Sequence, residues 1–278
     1  MTYGFIGIGN MGRTLIEAFI EAGTCKPSEL IIHNRTKNKA EQLAKTYPGL
    51  RVASDNRETV RESSVFFLCV KPGEFRNVLQ EIRDVTQSDQ IAVSITSPVM
   101  ISDLEAWLSC RIAKIIPSIA NRVCAGNSLF VPGTRLTKED ETYLWDLFRT
   151  ISQPILVDEQ HTRVASDLAS CSPAFLACLM EKLADAAVEE TQLPRETALS
   201  LVTQMAHGLG QLLTKGNFTL KSLQEHVAVP GGITREGLNL LNRNTGPVFN
   251  ELIRLTHAKY ENDIQKVQNS LFPKVKNN

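Results

Sequence analysis

A glycine pattern close to the N-terminus constrains the fold of this chain more than any other feature of its sequence. Gly7-Ile8-Gly9-Asn10-Met11-Gly12 has the spacing G-x-G-x-x-G, and it lies between a predicted strand and a predicted helix. In a βαβ unit the first glycine of this motif allows a tight turn, and the second lets the backbone approach a pyrophosphate. The third lets the helix pack on the strand, and the helix N-terminus attracts an anionic ligand. The sequence therefore predicts a dinucleotide-binding unit.

The residues after this motif continue an α/β alternation as far as residue 157. An apolar helix face begins at Met11 and ends at Gly23, a residue type suited to the position after a helix. Thr137, with Asp140 three residues on, predicts the start of another helix. Strands are predicted at residues 3–8, 30–33, 51–53, 65–70, 91–95, 111–116, 127–131 and 154–157. For the first six of these strands, the alternation with helices predicts a parallel arrangement joined by right-handed helical crossovers.

The pattern changes near Glu159, because only helical periodicities remain beyond it. Prolines interrupt them, and Pro247 is predicted to open a last helix that runs toward Lys274. The predicted fold class is α/β, with an N-terminal Rossmann-type dinucleotide-binding domain over residues 1–158 and an all-α C-terminal dimerisation domain over residues 159–278. The helix predicted at residues 175–190 is apolar around most of its circumference, which favours a dimer surface over a well-filled monomer core.

Composition and charge exclude several classes of protein. The 278 residues include 30 Lys+Arg and 30 Asp+Glu, so there is no charge imbalance that would favour nucleic acid or an anionic membrane as a partner. No apolar stretch approaches the roughly 18 residues that a membrane span needs, and the first residues do not resemble a secretory signal. The six cysteines form no C-x-x-C pair, and no His or Cys stands at metal-ligand spacing. We predict a cytoplasmic protein with reduced thiols and no metal site.

The type of dinucleotide is indicated at the end of the second predicted strand. NAD sites place a carboxylate there for the ribose 2′-OH, whereas this chain has His33-Asn34-Arg35-Thr36. Arg35 can pair with a 2′-phosphate, so NADPH is predicted as the cofactor, with NADH as a weaker alternative. The alternative for Arg35 is a solvated surface arginine. The turns at 69–72 and 95–97 follow two further strands and are expected to border the cofactor.

Six segments, in this order and spacing, carry a resemblance to a known family. They are Gly4 to Met11, Asn56-Arg57-Glu58-Thr59-Val60, Val70-Lys71-Pro72, Ser172-Pro173-Ala174-Phe175, Leu193-Pro194-Arg195 and Pro230-Gly231-Gly232-Ile233-Thr234. With them the chain resembles the pyrroline-5-carboxylate reductases, the last enzymes of proline synthesis. The resemblance implies hydride transfer from NADPH to a cyclic imine, and a helical domain that interlocks with a second subunit to form a homodimer or a higher homo-oligomer.

The resemblance also implies roles for individual residues. The cofactor contacts fall on Ile6, Gly7, Ile8, Gly9, Asn10, Met11, Gly12, Asn34, Arg35, Asn56, Cys69, Val70, Lys71, Pro72, Ile95, Thr96 and Ser97. The substrate contacts fall on His226, Val229, Gly231, Gly232, Ile233 and Thr234, where the amides of the last two would hold the substrate carboxylate. Thr234 and Glu159 are the implied catalytic residues: Thr234 donates or relays a proton, and Glu159 orders the site.

The chain departs from the usual family pattern at several positions. Where most relatives have Met-Pro-Asn-Thr-Pro it has 116–120 Ile-Pro-Ser-Ile-Ala, the Ser before Pro-Gly-Gly is Val229, and Cys171 lies in an altered Ser-Gly-Ser-Gly segment. These departures resemble the ComER-like branch, which is linked to the late-competence operon of bacilli. Two alternatives to proline formation therefore stay open: an NADP(H)-binding regulatory protein with little turnover, and a reductase of another imine or of a β-hydroxy acid.

Overall fold

A computed structural model describes residues 1–273 of the chain and divides it into two compact units. The first, called here the sheet unit, comprises Met1–Cys171 and the described residues from Thr256 onward. The second, called here the helical unit, is Ser172–Leu255.

An eight-stranded sheet in the order β3-β2-β1-β4-β5-β6-β7-β8 forms the centre of the sheet unit. Its strands are β1 (Tyr3–Ile6), β2 (Leu30–His33), β3 (Arg51–Val52), β4 (Val65–Leu68), β5 (Ile91–Ser94), β6 (Arg111–Ile116), β7 (Asn127–Pro132) and β8 (Gln153–Leu156). The helices between them are α1 (Asn10–Glu21), α2 (Lys37–Thr46), α3 (Asn56–Arg61), α4 (Phe75–Ile82), α5 (Ile101–Trp107) and α6 (Lys138–Arg149). The predicted Rossmann-type arrangement is confirmed, and the capping box of Thr137 and Asp140 does begin α6.

The six strands predicted to be parallel are so, and β7, for which no direction was predicted, forms the antiparallel pair of the described sheet. β7 pairs with β6 in the antiparallel direction, with Ile116 opposite Leu129. The two strands are joined by residues 117–126, which contain only the 3₁₀ turn Ile119–Val123. A parallel return needs a crossover of a dozen or more residues, so this connection is too short for one.

The order of the strands fixes where a ligand can bind. β1 lies between β2 and β4, so the chain leaves the first strand toward one edge of the sheet and later returns to its other side. In open α/β sheets the crevice for a ligand lies at the carboxyl ends of the strands at such a switch point. The residues that follow β1, β2 and β4 therefore define the expected site.

Apolar clusters cover both faces of the sheet and fix the ends of β1, β2 and β4. On one face the rings of Phe5 and Phe67 stack 4.5 Å apart, and Phe19 meets Phe148 edge to face at 5.4 Å. On the other face, Val267 and Leu271 near the C-terminus join the core. Alternation of side chains along each strand places successive residues on opposite faces.

The helical patterns beyond residue 159 form α7 (Thr162–Ser166), α8 (Ser172–Thr191), α9 (Arg195–Lys215), α10 (Leu220–Val227) and α11 (Ile233–Leu271). A π-helical turn, Asp167–Cys171, joins α7 to α8. The predicted start of the last helix was wrong, since Pro247 lies inside α11. The missing amide of Pro247 removes one hydrogen bond from a helix of 39 residues, which the rest of the helix tolerates. Lys274 lies outside the described residues.

The predicted domain boundary after residue 158 stays a prediction, and the contacts within one chain divide it differently. Residues 159–171 and the end of α11 cluster with the sheet, because Glu159 bonds to the sheet and Leu271 is buried in its core.

The helical unit exposes a large apolar surface. In α8 and α9 only Ala184 and Ala198 are buried, whereas Leu176, Leu183 and Leu201 are more than half exposed. Among the described residues, no helix is both long and apolar enough to cross a membrane.

Candidate cofactor site and the turn before helix α11

The first and third glycines of the fingerprint are required by the fold itself. Gly7 has a φ of +94°, which side-chain-bearing residues rarely adopt, and a Cβ there would lie 2.8 Å from the carbonyl O of Cys69. A Cβ on Gly12 would lie 2.4 Å from the carbonyl O of Gly7. The backbone of β1, β4 and α1 therefore approaches more closely here than any other residue type allows.

No such requirement applies to Gly9 within residues 1–273. Its φ is −74°, which any residue adopts, and a Cβ built on it would meet no atom within 4 Å. Open space beside the N-terminus of α1 is where the backbone of this motif receives a pyrophosphate. The absence of a side chain at residue 9 therefore fits the close approach of a ligand.

A cavity of about 520 Å³ lies at the carboxyl ends of β1, β2 and β4. Nine of the predicted cofactor residues line it: Ile6, Gly7, Gly9, Asn34, Arg35, Asn56, Cys69, Val70 and Lys71. Ile8, Asn10, Met11, Gly12, Pro72, Ile95, Thr96 and Ser97 do not line it. Of these, Ile8 contributes through its backbone, since Ile8 N donates to Asn34 Oδ1 at 2.9 Å, and Gly12 allows the close approach of α1 to Gly7.

The cavity has a polar end, formed by residues that follow β2 and by the start of α3. The Arg35 guanidinium is paired with Glu74, at 2.9 Å from Nη1 to Oε1. Asn56 donates from Nδ2 to Glu81 Oε2 at 2.7 Å, while its Oδ1 is buried and has no hydrogen-bond partner within residues 1–273. A buried acceptor without a donor is costly, so a ribose hydroxyl suits this position. Lys39 and Lys71 also line the cavity.

The turns after β4 and β5 are tied to each other. Thr96 Oγ1 donates to Val70 O at 3.1 Å, which fixes the 95–97 turn beside the wall of the cavity. Burial raises the pKa of the Cys69 thiol, which disfavours its thiolate form. Both predicted turns therefore lie at the same edge of the sheet.

Glu159, one of the two predicted catalytic residues, is engaged with a buried lysine. Lys114 on β6 is fully buried, and its Nζ lies 2.6 Å from Glu159 Oε1 and 3.2 Å from Ser97 O. The same carboxylate oxygen accepts from Ile101 N at 2.9 Å, at the start of α5. Burial lowers the pKa of Lys114, and Glu159 opposes that effect. The predicted role of Glu159 in ordering the site stays a prediction. The contacts show that its carboxylate links β6, through Lys114, to the start of α5, through Ile101.

The altered segments at 116–120 and 169–175 are joined by hydrogen bonds. Ser118 Oγ donates to Ala169 O, and Ser170 Oγ donates to Pro117 O, each at 3.0 Å. Arg163 pairs with the buried Asp167 at 2.7 Å and donates to Cys171 Sγ at 3.2 Å. These side chains are therefore used within the sheet unit, where they hold the π-helical turn against the end of β6.

The predicted substrate residues lie in the helical unit, from the end of α10 through the turn at residues 228–232 to the first residues of α11. Gly231 has a φ of +73°, and Gly232 N donates to Val229 O at 3.0 Å. Arg235 Nη2 donates to Ala228 O at 2.7 Å and closes the turn. Ile233 and Thr234 are exposed, and the amides of a first helical turn have no partner within their own helix. His226 is exposed beside the ring of Phe218.

Sequence reasoning missed four charged residues near the cofactor cavity: Glu74, Glu81, Lys39 and Lys114. A signal existed for Lys114, because it is the single charge within the apolar run Ile112–Ile116 of a central strand. Glu74 and Lys39 gave none, since they lie on surface-like helical segments that only the fold brings to the cavity.

Comparison with known proteins identifies the family. A model described as pyrroline-5-carboxylate reductase dimerisation matches residues 159–262, and one described as NADP oxidoreductase, coenzyme F420-dependent, matches residues 2–98. ComE operon protein 4 of Bacillus subtilis is 40% identical over 96% of this chain and 98% of its own length. Pyrroline-5-carboxylate reductase 3 of the same bacterium is 30% identical over 93% and 95%.

Solved structures agree with these matches. The crystal structure of a Plasmodium falciparum pyrroline carboxylate reductase with NADP bound has a TM-score of 0.79 and 25% identity, and the match covers 97% of this chain and 98% of that one. The predicted family resemblance, the ComER-like branch, the fold class and NADP(H) as the cofactor are thereby confirmed. The chain belongs to the pyrroline-5-carboxylate reductase family of NADP-dependent oxidoreductases.

Proposed function

We propose that the protein reduces 1-pyrroline-5-carboxylate to L-proline with NADPH. The observation that carries the proposal is the turn before α11, where the positive φ of Gly231 directs the chain into a long helix with exposed first residues. The N-terminus of a helix binds carboxylates through its free amides and its dipole. A chain with this turn and a dinucleotide cradle has the parts needed to hold an imino acid and a hydride donor.

In this proposal the protein orients the reactants and manages one proton. When bound, NADPH supplies the hydride that adds to the imine carbon. The fingerprint amides and Arg35 would hold the phosphates of the cofactor, and Asn56 Oδ1 would accept a hydrogen bond from a ribose hydroxyl. The amides of Ile233 and Thr234 hold the substrate carboxylate. The imine nitrogen takes up one proton. Because a hydroxyl alone is a weak acid, Thr234 either relays this proton from water or forms a hydrogen bond with a substrate that already binds as the protonated iminium.

The direct test is NADPH consumption by the purified full-length protein with 1-pyrroline-5-carboxylate, with NADH measured in parallel. We expect substrate-dependent turnover at an ordinary enzymatic rate, about 1 s⁻¹ or faster, and L-proline as the product. Tight NADPH binding together with negligible turnover would refute the proposal.

Val229→Ser is expected to lower the KM for 1-pyrroline-5-carboxylate about tenfold or more and to leave the KM for NADPH unchanged. Val229 is 58% exposed and lies directly before the Pro230 turn, where a serine hydroxyl can donate to the substrate carboxylate. A hydrogen bond to a charged group is worth about 1.5–3 kcal/mol. Steady-state kinetics measure both constants, with Val227→Ser on the exposed end of α10 as the control. An unchanged or raised KM for the imine would contradict the placement of this turn.

We propose that the protein is a homodimer or a higher homo-oligomer through its helical unit. The match of residues 159–262 to a dimerisation model supports this, and so do exposed side chains such as Leu183 and Leu201, at 58% and 59%. Apolar surface of this extent costs free energy in water unless a partner covers it. Light scattering is expected to give a mass of at least twice the 30.8 kDa of one chain. A mass of one chain at micromolar concentration would exclude the proposal.

A regulatory protein with little turnover is the second candidate, and one observation favours it. Three positions that depart from the family pattern have no hydrogen-bond donor directed to a substrate in this proposal. The side chains of Ser118 and Cys171 form hydrogen bonds within the sheet unit, and Val229 has no hydroxyl. A chain of this kind would keep its cofactor site and lose its substrate site. The turnover measurement above distinguishes the two, and activity on a panel of other cyclic imines would favour a different substrate.

A further inference from the structure

We infer that Glu74 is a specificity-determining residue of the cofactor site: its carboxylate competes with the 2′-phosphate of NADPH for Arg35 and so narrows the preference for NADPH over NADH. The inference rests on the proposed position of Arg35 at that phosphate. It assigns a role to a residue that follows β4, whereas the residue that discriminates the two cofactors in Rossmann domains ordinarily follows β2.

The contact geometry places Glu74 where the phosphate is expected to bind. Arg35 Nη1 lies 2.9 Å from Oε1 and 3.0 Å from Oε2 of Glu74, and both residues line the 520 Å³ cavity. Glu74 N donates to Lys71 O at 2.9 Å, and the next residue, Phe75, is fully buried. The backbone that carries the carboxylate is therefore fixed beside the cavity.

The pair has little value for the fold. The side chains of Arg35 and Glu74 are 83% and 39% exposed, and exposed ion pairs contribute little to stability. The effect of Glu74 is therefore expected in ligand binding. The Glu74 carboxylate can therefore be replaced without disturbing the buried core.

The two cofactors meet this pair differently. A 2′-phosphate brings up to about two negative charges, so it must either displace the Glu74 carboxylate from Arg35 Nη1 or bind the other N–H groups of Arg35, and in both cases it lies close to a like charge. Lys39 and Lys71 line the same cavity and offset part of that repulsion. The ribose 2′-OH of NADH is neutral and can donate to the Glu74 carboxylate while Arg35 and Glu74 stay paired. This is the interaction by which an acidic residue favours NAD in other Rossmann sites.

The test is direct titration of the full-length protein with NADPH and with NADH, followed by nicotinamide fluorescence, without substrate. Glu74→Gln is expected to lower the Kd for NADPH about fivefold and to leave the Kd for NADH unchanged or raised. Glu62→Gln is the matched control: Glu62 pairs with Arg51 at 40% and 47% exposure, and neither lines the cavity. It is expected to change neither Kd by more than about twofold.

Arg35→Gln separates a failure of the inference from a failure of the proposed phosphate position. This variant is expected to raise the Kd for NADPH at least about tenfold and to change that for NADH little, because only NADPH has a phosphate there. If it does so while Glu74→Gln leaves NADPH binding unchanged or weaker, the inference about Glu74 is overturned and the phosphate position stands. If Arg35→Gln leaves NADPH binding unchanged, both are overturned.

Discussion

Gly12→Ala is expected to lower the affinity for NADPH at least about thirtyfold and the stability of the sheet unit by about 1–3 kcal/mol. A Cβ at this position would lie 2.4 Å from the carbonyl O of Gly7 and 3.0 Å from Cys69 Cβ. Gly7 cannot withdraw, because its amide donates to His33 O at 2.8 Å and its φ is +94°. The added methyl must therefore push α1 away from the strand ends, and the N-terminal amides of α1 move with it.

Gly9→Ala provides the matched comparison, since a Cβ there meets no atom within 4 Å. We expect it to leave the free energy of unfolding within about 0.5 kcal/mol of the natural protein and to lower NADPH affinity about tenfold or more, because the methyl occupies the space of the pyrophosphate. Fluorescence titration gives the affinities and chemical denaturation gives the stabilities. An NADPH affinity of Gly12→Ala equal to that of the unsubstituted protein would show that α1 is not fixed by this contact. An unchanged NADPH affinity of Gly9→Ala would show that no phosphate approaches residue 9.

The sheet was predictable because its strands are short apolar runs between helical periodicities. Apolar runs do not show where the backbone leaves the extended conformation, so the predicted strand ends were less accurate. The predicted strand 3–8 ends at Ile6, since Gly7 has a positive φ and leaves the extended region. The direction of β7 did not follow from periodicity, because it depends on the length of the chain between two strands. Pro247 was misplaced for a different reason: proline is favoured in a first helical turn, but a long helix can also accept one in its interior.

The cavity of the candidate cofactor site was predictable where its residues are local in sequence, and not where they depend on tertiary contacts. Seven predicted residues belong to the continuous run Ile6 to Gly12, and three of them, Ile6, Gly7 and Gly9, line the cavity. Glu74 and Lys114, in contrast, act through partners 39 and 45 residues away. Spacing along the chain cannot indicate such pairs. A charge within an apolar strand, as at Lys114, still indicates that a buried counter-charge must exist.

Lys114→Met is expected to lower the free energy of unfolding by about 3–5 kcal/mol. Lys114 is fully buried on β6, and its removal leaves Glu159, 24% exposed, without its cationic partner. Asp103 is also close enough to act on Lys114, and burial raises the pKa of this carboxyl because it disfavours the charged form. Loss of the Lys114 ammonium therefore leaves the carboxyl groups of Glu159 and Asp103 without this cation. The measurement is chemical denaturation of the NADPH-free protein.

Two further variants make this result specific to the buried pair. Lys138→Met breaks an ion pair with Glu141 whose lysine is 87% exposed, and it is expected to cost less than about 1 kcal/mol. The double variant Lys114→Met with Glu159→Gln is expected to recover more than half of the lost stability, since it removes the unpaired charge. A loss below about 1 kcal/mol in Lys114→Met would mean that the pair is not buried as described.

The same double variant also tests what the pair does for the cofactor site. Ser97 O accepts from Lys114 Nζ at 3.2 Å and from Tyr260 Oη at 3.4 Å, and Thr96 binds Val70 O beside the cavity. Methionine at 114 and glutamine at 159 restore charge balance but not the donor to Ser97. We therefore expect the Kd for NADPH to stay at least about threefold raised while stability recovers. If affinity instead recovers together with stability, the ion pair supports the sheet alone, and the 95–97 turn is held by its neighbours.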